Sequence, residues 1–132
     1  MPAADRPLRS RVAAANGAGC DFPIQNLPYG VFSTQGSAPR CGVAIGDMIL
    51  DLAACEARGL LDAGGTFSQP RLNGFMALGR GQWDAVRARL TALLAEGAEG
   101  DLPLVAMSDA QMHLPIRVSE FTDFYASRHH AF

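Results

Sequence analysis

Between Tyr29 and Leu50, two turn signals cut the chain into three short runs of strand-forming residues. Tyr29 to Gln35, Arg40 to Ile45 and Met48 to Leu50 read as strands, rich in aromatic and β-branched side chains. Gly36-Ser37-Ala38-Pro39 is the first turn, and Gly46-Asp47 is a two-residue hairpin connection with glycine placed to take positive φ. Connections this short cannot carry a parallel crossover, so the three strands form an antiparallel meander. Three strands leave open edges, which a barrel-like closure or helices must cover. The expected fold class is therefore mainly β with added helices (α+β).

The flanking segments supply that cover. Asp51 can cap a short helix from Leu52 to Arg58 that stops at Gly59. Pro70 opens a second short helix carrying Leu72, Phe75 and Met76, which ends near Gly79. The longest helix is predicted from Gln82 to about Glu96. Its apolar Trp83, Val86, Leu90, Leu93 and Leu94 recur at three- and four-residue spacing along one core-facing stripe. Leu102 to Met107 and Gln111 to Pro115 read as extended. In front of the meander, Pro23 and Pro28 bracket a segment expected to lie flat and extended, anchored by Phe22, Ile24 and Leu27. Residues 1–20 read as a flexible N-terminal arm, 21–118 as the domain, and 119–132 as a separate, chemistry-bearing segment.

Composition removes whole classes of function. Eleven basic against thirteen acidic residues give a formal net charge of -2, which offers no field to a nucleic-acid backbone. The basic residues are all Arg, so this chain can run no Schiff-base or P-loop lysine chemistry. No stretch approaches the roughly 18 apolar residues of a membrane span. Cys20, Cys41 and Cys55 match neither a disulfide framework nor a zinc pattern, and read as reduced thiols in a cytoplasmic protein.

Residues of catalytic type concentrate at the end, between Ser119 and His130. If that segment is helical, Asp123 and His130 share a face about 10 Å apart along the axis. That is too far for a direct hydrogen bond, and suits a metal-bound carboxylate and a proton-transfer imidazole on opposite sides of a substrate. A hard divalent cation takes about six or more oxygen ligands, so groups outside this chain must complete such a site.

Four blocks carry a resemblance. They are Asp21-Phe-Pro-Ile-Gln-Asn-Leu-Pro-Tyr-Gly-Val-Phe-Ser-Thr34, Gly42-Val-Ala-Ile-Gly-Asp-Met-Ile-Leu-Asp-Leu52, Met112-His-Leu-Pro115 and Thr122-Asp-Phe-Tyr-Ala-Ser-Arg-His-His-Ala131. In this order they closely resemble the N-terminal domain of the fumarylacetoacetase family. The resemblance implies an SH3-like partial β-barrel. It implies hydrolysis of the carbon–carbon bond of fumarylacetoacetate, releasing fumarate and acetoacetate in tyrosine and phenylalanine breakdown. By motif it places Asp123 as a ligand of Ca²⁺ or Mg²⁺, Tyr125 as a substrate contact and His130 as the base that activates water. The family's remaining metal carboxylates, oxyanion-binding groups and glutamate partner of the histidine belong to a C-terminal catalytic domain. The implied assembly is a homodimer of the full-length enzyme. The expectation is therefore that these 132 residues are one piece of a longer enzyme and are inactive alone. A second reading, of another class, makes the domain a non-catalytic regulatory or interaction module that packs on its catalytic partner. His113 is expected to make a structural hydrogen bond.

Overall fold

A computed structural model describes residues 8–116 of the 132. Its centre is a five-stranded antiparallel sheet. The meander forms as the turn signals require: β1 (Tyr29–Thr34), β2 (Arg40–Ile45) and β3 (Met48–Asp51). β4 (Leu104–Ala106) and β5 (Ala110–His113) extend it on opposite sides, giving the order β4-β3-β2-β1-β5. The 3-10 turn Met107–Asp109 lies between β4 and β5 in the chain, so the path crosses from one edge of the sheet to the other. Register follows the hairpins: Ile45 faces Met48 across Gly46-Asp47, and Phe32 faces Arg40 on one side and Met112 on the other. Gly46 has φ 62°, and a Cβ there would stand 2.8 Å from the backbone nitrogen of Ala15. Glycine is thus required both by the turn and by the chain packed against it.

Asp51 ends β3 and starts α1 (Leu52–Ala57). One carboxylate oxygen accepts from the Ala54 amide at 3.1 Å, and the other pairs with Arg40 Nε at 3.0 Å. α1 closes in a Schellman arrangement: Gly59 takes φ 75°, its N–H donates to Glu56 O, and the Leu60 N–H donates to Cys55 O. The second helix is shorter than the proline suggested. α2 covers only Asn73–Met76, and the 3-10 turn Thr66–Ser68, absent from the sequence expectation, precedes it.

α3 runs Arg80–Leu94 and buries Val86, Leu90, Leu93 and Leu94 as predicted. Trp83 departs from the core stripe: it is 39% exposed, and its indole N–H donates to Phe75 O at 3.0 Å. An indole needs a partner for its one donor, and the end of α2 offers a carbonyl at the domain surface. α3 also stops before Glu96, because Ala95 is extended and bridges Ser10.

That bridge bears on the expected flexible arm. Over the described part of residues 1–20, Ser10 is buried and its hydroxyl donates to Leu94 O at 2.9 Å. Val12 and Ala15 join the main core, and Ala13–Asn16 is a 3-10 turn. The Pro23–Pro28 segment buries Ile24 and Leu27 as anchors, but it turns rather than running extended, with Asn26 N–H donating to Pro23 O. Together with the helices these segments cover one face of the sheet. Val31, Val43 and Leu50 point into that core, with Phe67 and Phe75 among the residues packed on them.

Candidate functional site

Alternation along each strand sends the other set of side chains to the opposite face. Gly30 and Phe32 on β1, Gly42 and Ala44 on β2, Ile49 on β3 and Met112 on β5 share it, in register across the sheet. They line a groove of about 320 Å³, rimmed by Phe22, Pro28 and Met107. None of its lining residues is charged. Gly42 forms its floor, since a Cβ there would come within 2.6 Å of Ile49 Cγ2 and 2.8 Å of Phe32 Cε1.

One end of this face is closed by polar groups that satisfy one another. The Arg40 guanidinium lies 4.4 Å from the Phe32 ring centroid and contacts Thr34 Oγ1 as well as Asp51. The cation is therefore spent on the aromatic face, a carboxylate and a hydroxyl, and none of it is aimed at a ligand. The other end is lined by the exposed side chain of Met112.

On the covered face, His113 Nε2 and Ser33 Oγ are hydrogen-bonded at 2.7 Å between β5 and β1, the structural role expected for this histidine. Tyr29 stacks with Phe67 and Phe75, and the Arg87 guanidinium sits 5.2 Å from its ring centroid. Burial pushes the Tyr29 phenol up, opposed by the charge of Arg87, and its buried hydroxyl has no hydrogen-bond partner among the described residues. Burial, with a contribution from Glu56, pushes the Cys41 thiol up to about 11. Burial, with Asp51 next, pushes Cys55 up to about 11 as well. Thiols held protonated in this way are poor nucleophiles and poor metal ligands. The Glu56 carboxylate is taken up by the backbone N–H groups of Ala63, Gly65 and Phe67.

Among the described residues no group of three or more His, Cys, Asp or Glu could hold a metal ion. Asp123, Tyr125 and His130 lie outside the described residues. The apolar face was missed at the level of sequence, although a signal was present. Gly42-Val-Ala-Ile45 is continuously apolar rather than alternating, the pattern of a strand buried on both faces.

Known proteins give the context. The family model described as Fumarylacetoacetase N-terminal matches residues 25–115. The chain is 49% identical to the fumarylacetoacetase of Caenorhabditis elegans over 126 residues, covering 84% of this chain and 30% of that protein. It is 46% identical to the Bos taurus fumarylacetoacetase over 124 residues, with the same coverage of 84% and 30%. With the Oryza sativa enzyme it shares 45% over 146 residues, covering 95% of this chain and 33% of that one. The chain thus spans about a third of the length of the curated relatives it matches. With a match that takes in the whole sheet and the helices packed on it, the chain belongs to the fumarylacetoacetase N-terminal family.

Proposed function

We propose that this chain is the N-terminal domain of a fumarylacetoacetase and acts in the hydrolysis of fumarylacetoacetate to fumarate and acetoacetate. The observation that carries this reading is the 45–49% identity to fumarylacetoacetases over 84–95% of the chain. The remaining length of those relatives corresponds to the catalytic domain in this proposal, and the full-length protein is a homodimer in the cytoplasm. The antiparallel sheet, with an edge-to-edge crossing between β4 and β5, is compatible with an SH3-like partial barrel.

The proposed chemistry rests on three residues of the C-terminal segment. His130 takes a proton from water, and the hydroxide oxygen bonds to the carbonyl carbon. The carbon–carbon bond then breaks with its electron pair leaving on the acetoacetate fragment, which is protonated. Tyr125 hydrogen-bonds the substrate through its hydroxyl. Asp123 offers a hard oxygen donor, which fits Ca²⁺ or Mg²⁺. With no acidic cluster among the described residues, the other oxygen ligands come from the catalytic domain. When bound, the ion polarises the diketone oxygens.

The test is turnover of fumarylacetoacetate by the protein carrying both domains, with Ca²⁺ or Mg²⁺. Removing the base through His130→Ala is expected to lower kcat by about 10²–10⁴-fold. Near-wild-type turnover by that variant rejects the role of His130. Turnover by the 132-residue chain alone rejects the two-domain reading.

A further inference from the structure

The open face of the sheet does not end as a free surface of a soluble protein should. An antiparallel sheet with one solvated face ordinarily sends polar side chains to it. Here Phe32 and Ile49 are buried outside the main core, with Ala44 beside them. At the edge, β5 pairs only with β1 among the described residues, leaving its outer backbone groups unpaired. Met112 on β5 and Leu114 and Ile116 just past its end follow one another at two-residue spacing, 60%, 80% and 40% exposed. Soluble proteins blunt such edges with charge, above all lysine. This chain has no lysine, and no charged residue stands between Ala110 and Ile116.

Resting on the reading of the chain as an N-terminal domain, we propose that this groove and the Met112–Ile116 edge are where the catalytic domain docks. Three observations favour that occupant. First, in this reading the catalytic domain is joined to the same chain just past the strip, since the family match ends at residue 115 and the relatives extend far beyond the matched region. Anything joined beyond it is presented to the groove at high effective concentration, an advantage that a second copy lacks. Second, the groove lining carries no charge, and the adjacent Arg40 is already paired, so an acidic peptide or a nucleic acid finds no cation to bind. An uncharged apolar centre is the composition of a permanent interface. Third, the relatives are about three times longer than the matched region, which leaves ample surface to cover the strip.

Methionine oxidation tests this with an internal standard. Met76, on α2 at the helix side, is 50% exposed and Met112 is 60% exposed. In the protein carrying both domains, dilute hydrogen peroxide is expected to oxidise Met76 several-fold faster than Met112, read by mass spectrometry of the peptides. In the 132-residue chain the two should oxidise at similar rates. Equal rates in the two-domain protein overturn the proposal. Protection of Met112 already present in the 132-residue chain overturns it in favour of residues 117–132 as the cover. Protection lost on dilution to the monomer overturns it in favour of a second copy. A second measurement uses Leu114→Glu, which should lower the unfolding midpoint of the two-domain protein and leave that of the 132-residue chain unchanged. An equal effect on both overturns the docking role. Fumarylacetoacetate turnover on the same samples separates the two readings. A protein with turnover but unprotected Met112 loses the docking site alone. One with protection and no turnover loses the activity alone.

Discussion

The two faces of the sheet are built from the same strands and differ in what stands over them. The covered face carries Val31, Val43 and Leu50, with Phe67, Phe75, Leu90 and Leu94 packed into the same core. The open face carries Phe32 and Ile49, which are themselves buried, beside the half-buried Ala44 and the exposed Met112. What stands over it is the Arg40 guanidinium and rim loops rather than a layer of helices. Both are apolar. Composition alone therefore does not separate a core from an interface. The difference lies in whether this chain supplies the opposing layer, and the same substitution should have unequal consequences on the two faces.

The largest expected contrast is between Phe67→Ala and Met112→Ala in the 132-residue chain. Phe67 is fully buried and meets both Tyr29 and Phe75, with ring centroids 6.3 and 4.7 Å away. Its truncation leaves a cavity and should cost about 3–5 kcal/mol. Met112 is exposed, and its truncation should stay within about 0.5 kcal/mol. Urea denaturation of each variant measures the difference. Comparable losses would mean that the open face is packed within this chain, and the comparison fails.

The covered face was legible in the sequence wherever the pattern is local. The meander, the Gly46-Asp47 hairpin, the Asp51 cap and four of the five stripe residues of α3 follow from spacing and turn chemistry. The misreadings share a cause, which is partnership at long sequence separation. Trp83 leaves the stripe because a carbonyl of α2 takes its N–H. α3 ends early because Ser10 bridges Ala95, more than eighty residues along the chain. For the same reason part of the presumed arm is core. Periodicity reports that a residue is apolar and where it points. It does not report which distant segment will arrive. The roles proposed for Asp123, Tyr125 and His130 rest on resemblance, because the concentration of polar residues between Ser119 and His130 does not by itself assign them.

A smaller effect probes the floor of the open face. Gly42→Ala places a methyl 2.6 Å from Ile49 Cγ2 and 2.8 Å from the Phe32 ring, so one of the two must move. Overpacking of this kind should cost about 1–3 kcal/mol. Shortening the neighbour in Gly42→Ala/Ile49→Ala should return part of it, because contacting residues couple. If the double variant is as unstable as the sum of the singles, the groove floor is set by the backbone of β2 rather than by these side chains.

The last contrast separates the faces by pH. Cys41 and Cys55 lie in the covered core, and burial raises both thiols from the ordinary 9.0 to about 11. A raised value in the folded state means that the unfolded chain gives up these protons first. Between the two values the unfolded state binds fewer protons, so stability falls as pH rises. The contribution is whole below about pH 9 and is lost as pH climbs through about 11. The groove lining of the open face has Tyr29 as its only titratable residue, whose ring stacks in the covered core. Its phenol is also raised, which adds to the same downward slope. Urea midpoints at about pH 8 and about pH 10.5 should therefore differ more in the native chain than in Cys41→Ala/Cys55→Ala, which retains Tyr29. Met112→Ala should leave the pH difference unchanged, since it removes nothing near the thiols. If the double cysteine variant keeps the full pH difference, the thiols are not desolvated by the covered face, and the layer assigned to it is looser than its packing implies.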